Sequence, residues 1–152
     1  RVQQQACLAD LAQRRKWLDG LVVSGGEPTC TPQLPRLLAD LNSLGLPVKL
    51  DSNGTQPEFL ADLLETGLIQ AVAVDVKGPW ALYPQLTGGA WSAQAARTAL
   101  TAVFALAQRY PGQVLLRCTK VPLLSPADLE ETRAQVPADL ELHWQDFITV
   151  NA

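Results

Sequence analysis

Charged and polar side chains follow four apolar runs of this chain, each near the point where the run ends. They belong to Ser24-Gly25-Gly26-Glu27-Pro28, Asp51-Ser52-Asn53-Gly54, Asp75-Val76-Lys77 and Arg117. Because the carboxyl ends of parallel strands converge on one site in α/β proteins, we expect these residues to lie together. Two readings follow: an ion network that satisfies itself, or a ligand site, which three such endings in consecutive units favour.

The types of these residues indicate which ligand such a site would take. Gly25 and Gly26 permit a tight turn, and backbone carbonyls with the Glu27 carboxylate are acceptors, which favour a cationic amine over a phosphate. Lys77 is expected to pair with Asp75 or with Asp51, or to address a zwitterionic ligand together with them.

Composition and missing motifs exclude several function classes. The 152 residues carry a formal charge of -3 with pI near 5.0, which gives no reason to expect nucleic acid or an anionic membrane as a partner. No dinucleotide or P-loop glycine motif occurs, and His143 is the only histidine, so a Ser/His/Asp set cannot be assembled. The widely spaced Cys7, Cys30 and Cys118 are predicted to be small buried hydrophobes in a cytoplasmic protein.

Hydrophobic periodicity predicts alternating helices and strands. Strands are expected at residues 21–24, 47–50, 68–74, 114–119 and 140–144. Helices are expected at 1–18, from an N-cap at Thr31 to 45, at 57–67, from Ser92 to 109 and from Ser125 to 135. Residues 78–89 are expected to form an irregular loop with one helical turn, in which Trp80 and Tyr83 pack at the rim.

This order predicts a single α/β domain over residues 1–152, built from parallel βαβ units with right-handed crossovers. Five strands are too few to close an eight-stranded barrel. The pattern therefore suits an open part of a TIM-type barrel, or a flat doubly wound sheet whose first strand lies upstream of Arg1.

The strand-end motifs resemble those of a known superfamily. Ser24-Gly25-Gly26-Glu27-Pro28 resembles the glycine-glycine-glutamate-proline motif of radical S-adenosylmethionine enzymes. Lys49-Leu50-Asp51-Ser52-Asn53-Gly54 and Val74-Asp75-Val76-Lys77 look like further signatures of the glycyl-radical-enzyme activases. Leu82-Tyr83 and Leu86-Thr87-Gly88 are most similar to the activating proteins of anaerobic ribonucleoside-triphosphate reductase, with pyruvate formate-lyase activating enzyme close behind.

The resemblance implies a binding site for the amino-acid end of S-adenosylmethionine. Its residues would be Gly25, Gly26, Glu27, Asp51, Ser52, Asn53, Asp75 and Lys77. The glycines and Glu27 would hold the amino group, and Lys77 suits the carboxylate. Asp51, Ser52 and Asp75 would also line a monovalent cation site, and Arg117 matches an arginine near the reacting centre.

The chain departs from this family in one respect. The family binds a [4Fe-4S] cluster with a C-x-x-x-C-x-x-C loop, which is absent here. Because the chain opens without methionine, we expect a fragment lacking the first strand and cluster loop, inactive alone and with an exposed apolar sheet edge that invites dimerisation.

The intact parent implied by the resemblance is an oxidoreductase. A reduced cluster would cleave S-adenosylmethionine to a radical that takes a hydrogen from a glycine of a partner reductase. The implied partners are that glycyl radical enzyme and a reductant such as flavodoxin or ferredoxin. Two alternatives stay open: another radical S-adenosylmethionine enzyme acting on a small molecule, such as one maturing a modified base, and a non-catalytic βα binding domain.

Overall fold

Short apolar runs bounded by glycine and proline form the strands of this protein, and amphipathic segments form its helices. The computed structural model describes residues 4–149. Its strands are β1 (Leu21–Val23), β2 (Val48–Ser52), β3 (Ala71–Asp75), β4 (Val114–Lys120) and β5 (Leu142–Asp146). Its α-helices are α1 (Gln4–Arg14), α2 (Leu34–Asn42), α3 (Pro57–Glu65), α4 (Tyr83–Leu86), α5 (Ala93–Arg109) and α6 (Pro126–Gln135).

The five strands form one parallel sheet in the order β1-β2-β3-β4-β5. A doubly wound sheet reverses its strand order at a switch point, and this sheet does not. Sequential order in one direction is the winding of a (βα) barrel. The structure therefore confirms the α/β class and agrees with a partial barrel rather than with the doubly wound alternative.

The two faces of the sheet have different surroundings. Side chains alternate along each strand, and Val48, Leu50, Val72 and Val74 are almost fully buried against the helices. The adjacent residues Lys49, Asp51 and Asp75 point to the opposite face, which we call the open face, and so does Arg117, which aligns with Asp75. The open face carries the charges because the core lies on the other side.

The predicted second strand ends two residues before the observed strand does. We expected it to stop at residue 50, but β2 continues through Asp51 and Ser52, which align with Ala73 and Val74 of β3. Parallel pairing holds these two polar residues in the strand. Their side chains are consequently sent to opposite faces, Asp51 to the open face and Ser52 to the helix side.

One predicted helix start is wrong, and two are confirmed. Thr31 does not cap α2; it ends a 3-10 turn at Pro28–Cys30, and the cap position is Gln33. The backbone carbonyl of Thr31 instead accepts from the Leu34 N–H. Ser92 caps α5 by accepting from Ala95 N, and Ser125 caps α6 in a capping box with Asp128.

The described residues include both edges of the sheet. The edge strand β1 exposes Val22, with 58% of its surface accessible. The dimerisation expected from such an edge remains a prediction.

In the described part of the chain, no helix is both long and apolar enough to cross a bilayer. The predicted first helix begins at residue 1, and its first three residues lie outside the described range.

Candidate functional site

The structure brings the first two strand-end motifs into direct contact through the Glu27 carboxylate. Glu27 Oε2 accepts a hydrogen bond from the Asn53 backbone N–H at 2.6 Å. Glu27 Oε1 accepts from the Ser52 hydroxyl at 2.8 Å and from the Thr29 hydroxyl and N–H at 2.7 and 3.2 Å. Glu27 therefore fastens the loop after β1 to the end of β2. Each carboxylate oxygen offers two acceptor positions, and Oε2 makes only the bond to Asn53, so one position on Oε2 remains for a ligand donor.

Ser52 and Asn53 support this contact in different ways. The Ser52 side chain is buried on the helix side, and its hydroxyl donates to Glu27 and accepts from the Gly54 N–H at 3.1 Å. It thus positions Glu27 rather than facing the open face. The Asn53 side-chain oxygen accepts from the Thr55 N–H, which leaves the amide NH₂ group as its remaining donor.

Glycines fix the two loops for different reasons. Gly25 and Gly26 have φ of 105° and 56°, where other residues are strained, and a Cβ on either would meet no atom within 4 Å. Gly54 also has a positive φ of 80°, but a Cβ there would lie 2.8 Å from Val74 Cγ1. The first loop has open space beside it, whereas the second is packed against the core.

The charged strand ends form an alternating ionic row on the open face. Its four ion pairs are Lys49 Nζ to Asp51 Oδ1 at 3.4 Å, Arg117 to Asp51 Oδ2 at 3.3 Å, Arg117 Nε to Asp75 Oδ1 at 2.8 Å and Lys77 Nζ to Asp75 Oδ2 at 3.8 Å. Three cations face two anions, so the row has a net charge of +1. Of the two pairings expected for Lys77, the one with Asp75 is confirmed.

Arg117 is the centre of this row. Its side chain is 20% exposed, and its guanidinium reaches carboxylates on both β2 and β3. Partial burial alone would lower the pKa of Arg117, but the hydrogen bond and charge of Asp75, with the charge of Asp51, raise it. An arginine held charged in this way cannot serve as a proton donor or acceptor.

Lys77, at one end of the ionic row, lines two cavities. One cavity of about 220 Å³ is lined by Asn53, Lys77, Tyr83, Thr87, Ala90 and Trp91. Another of about 400 Å³ places Asp75 and Lys77 against an apolar wall that includes Val121, Leu123 and Phe147. Lys77 is paired only at 3.8 Å in this row, so its ammonium has donors left for an anion.

Tyr83 holds the backbone of Lys77 through a hydrogen bond. Its hydroxyl accepts from the Lys77 N–H at 2.9 Å, and only 2% of the residue is exposed. Burial raises the pKa of Tyr83, so the phenol stays neutral. Trp80 packs on Tyr83 and Phe104 with ring centroids 5.8 and 6.3 Å apart. The structural role expected for this aromatic pair is confirmed.

The cysteines and the histidine do not form a metal site. Within residues 4–149, no three His, Cys, Asp or Glu residues are grouped as metal ligands. Cys118 is buried as expected, and burial raises its pKa to about 11. Cys7 and Cys30 are exposed, so the prediction that they are buried is wrong. His143 aligns with Arg117 across β4 and β5 and lies 3.5 Å from Glu141.

Sequence reasoning missed three contributors to the site. Lys49 extends the ionic row, and its position two residues before Asp51 was the available signal, since i and i+2 share a face of a strand. Thr29 holds Glu27, and a hydroxyl two residues after a carboxylate gave only a weak indication. Ala73 is almost fully buried although it lies on the open face, and nothing local predicts that.

Comparison with known proteins shows that this chain is similar in sequence to an archaeal protein. It is 30% identical over 126 residues to a Methanocaldococcus jannaschii protein named "putative glycyl-radical enzyme activating enzyme". The match covers 82% of this chain and 52% of the relative, so the chain spans about half the length of the protein it matches. No protein-family model matches the chain.

Proposed function

We propose that this chain supplies the part of a radical S-adenosylmethionine activase that holds the amino-acid end of S-adenosylmethionine. The observation that carries the proposal is the joining of three strand ends by direct contacts: Glu27 to Asn53, and Asp51 to Asp75 through Arg117. The 30% identity to a protein named as a glycyl-radical enzyme activating enzyme supports the same family.

In this proposal each end of the zwitterion meets groups of opposite charge. The ligand ammonium donates to the backbone carbonyls of Gly25 and Gly26 and to the remaining acceptor position of Glu27 Oε2. The ligand carboxylate takes the free donors of Lys77 and the Asn53 amide, which line one cavity. Ser52 acts by holding Glu27, and Asp75 acts by holding Lys77 in place.

Arg117 contacts both carboxylates of the row, and we therefore assign it a positioning role rather than proton transfer. It keeps Asp51 and Asp75 from repelling each other beside the bound ligand. Arg117 would lie near the reacting centre, as the resemblance implies, and its guanidinium would act through its charge alone.

The activity proposed for the whole protein is that of an oxidoreductase that generates a glycyl radical on a partner. The partner is of the anaerobic ribonucleoside-triphosphate reductase or pyruvate formate-lyase type, with a flavodoxin or ferredoxin as reductant, in the cytoplasm. The described residues do not fit a [4Fe-4S] cluster, because Cys7, Cys30 and Cys118 are not grouped.

Calorimetric titration tests the ligand assignment. We expect the chain to bind S-adenosylmethionine, and Lys77→Ala to weaken that binding about tenfold through loss of a charge-assisted contact. Decarboxylated S-adenosylmethionine lacks the group that Lys77 holds, so the same substitution should leave its binding unchanged. Lys120→Ala, which removes a surface lysine paired with Asp146, is the matched control. Equal losses for both ligands would contradict the role of Lys77.

A second candidate function is a non-catalytic βα domain that binds a zwitterion without chemistry. It is supported by the groups that would meet the zwitterion, Glu27, Asn53 and Lys77, which all belong to the described residues and suffice for binding alone. The complete gene product, reconstituted anaerobically with iron and sulfide, separates the two. Reductive cleavage of S-adenosylmethionine supports the activase, and binding without cleavage supports the domain.

A further inference from the structure

The ionic row on the open face leaves no place for an added cation. The resemblance implies a monovalent cation between Asp51, Ser52 and Asp75, but each of these groups already has a partner. The Ser52 hydroxyl lies on the helix side and is used by Glu27 and Gly54. Asp75 has Arg117 on one oxygen and Lys77 on the other. A cation would have to share the Asp75 oxygens with two positively charged groups, and the Ser52 hydroxyl is turned away from the open face.

Asp51 leads to the same result by a different route. Its Oδ2 is 3.3 Å from the Arg117 guanidinium. Its Oδ1 is buried and makes no hydrogen bond within the described residues, but the Lys49 ammonium lies 3.4 Å away. An added cation would approach a row that already has a net charge of +1, and would be repelled by three neighbours.

The arginine reaches across a whole strand to make this arrangement. Arg117 lies on β4 and Asp51 on β2, with β3 between them. Because neighbouring strands are about 4.8 Å apart, the side chain of Arg117 has to span two such spacings. The register places Ala73 beside Asp51 and Asp75 beside Arg117. The side chain of Arg117 therefore crosses β3 diagonally, from the position of Asp75 toward that of Ala73, and Ala73 is only 2% exposed.

We propose that the Arg117 guanidinium is a built-in counter-cation for Asp51 and Asp75, so that this site binds its ligand without a monovalent cation. Ala73 is a positioning residue in the same arrangement, because a larger side chain there would block the path from β4 to β2. As far as it concerns the ligand, this inference rests on the proposed binding of S-adenosylmethionine; as far as it concerns the cation, it stands on the ionic row alone.

The test compares sodium, potassium and choline chloride at one ionic strength of about 0.15 M. In the unchanged chain, the melting temperature and the affinity for S-adenosylmethionine should be the same in all three salts. Arg117→Gln should lower the melting temperature by about 5 °C in choline, because two carboxylates then face each other. Sodium or potassium should restore about half of that loss. Arg117→Lys should remove the cation response again, since it returns a positive charge.

The control is Arg109→Gln, which breaks an exposed pair with Glu65 and should respond equally to all three salts. Ala73→Val gives a second route if Arg117→Gln does not fold, and should produce a smaller response to sodium or potassium. A cation requirement in the unchanged chain would overturn the inference, and so would variants that respond no more than Arg109→Gln. If no variant binds S-adenosylmethionine, the proposed function fails while the melting temperatures still decide the inference.

Discussion

The Glu27 contacts and the Arg117 row both lie at the carboxyl ends of the strands, but their carboxylates have different kinds of partner. Glu27 is held by hydroxyl and backbone N–H donors from Thr29, Ser52 and Asn53. Asp51 and Asp75 are held by charged side chains. The difference arises within β2, where Ser52 and Asp51 are adjacent and point to opposite faces. One strand thus serves a fixed hydrogen-bonded loop and an ionic row that salt can weaken.

The largest effect is expected where the Glu27 side is packed. Gly54→Ala should lower the free energy of unfolding by about 3 kcal/mol, because φ is positive and a Cβ would lie 2.8 Å from Val74 Cγ1. Gly67→Ala is the matched control, since its φ is +69° and its Cβ would have open space. It should lose only about 1 kcal/mol. Equal losses in urea denaturation would show that packing at Gly54 does not matter.

Breaking the Glu27 contacts should come next. Glu27→Gln replaces one acceptor oxygen by an NH₂ group that faces donors, so we expect a loss of about 2 kcal/mol. Because the partners of Glu27 are neutral, the loss should be nearly the same at low and high salt. Urea denaturation at two salt concentrations measures both quantities. A loss that disappears at high salt would remove the contrast between the two regions.

The ionic row should show the opposite salt dependence. Asp51→Asn should cost about 1.5 kcal/mol at low salt, since Arg117 and Lys49 lose a charged partner while Arg117 keeps Asp75. The loss should shrink in about 1 M sodium chloride, where screening weakens the partly exposed pairs. The same denaturation series measures it, with Glu27→Gln as the reference. A salt-independent loss would mean that both regions behave alike.

The smallest effect is expected at the cap of α6, which belongs to neither region. Ser125→Ala should cost about 1 kcal/mol, because the capping box is lost. Hydrogen bonds from Ser125 hold the pKa of Asp128 below its ordinary value of 3.8. A carboxylate with a lowered folded pKa stabilises the fold above its unfolded pKa and loses this contribution as pH falls through the folded pKa. As pH falls from above 3.8 through the lowered pKa of Asp128, the free energy of unfolding should therefore decrease more in the unchanged chain than in Ser125→Ala. Urea denaturation over this pH series measures the difference.

Much of the fold can be predicted from the sequence because local preferences agree with the tertiary structure. Ser92 and Ser125 were recognised as caps, and both are followed by a helix in the structure. Thr31 carried an equally good local signal and does not cap α2, because a 3-10 turn at Pro28–Cys30 precedes it. That turn depends on Glu27, whose contacts with Ser52 and Asn53 come from 25 and 26 residues away.

The alternation of strands and helices, and the gathering of polar residues at the carboxyl ends of the strands, follow from the sequence alone. Both depend on local periodicity and on the common direction of parallel strands. Which charges pair depends on the arrangement of the strands in the sheet. Arg117 is 66 residues from Asp51 in the numbering of the chain, and it reaches that carboxylate because β4 lies two strands from β2 and Ala73 is small. A side chain that crosses a neighbouring strand leaves no trace in local sequence, since its partner is fixed by register and not by spacing.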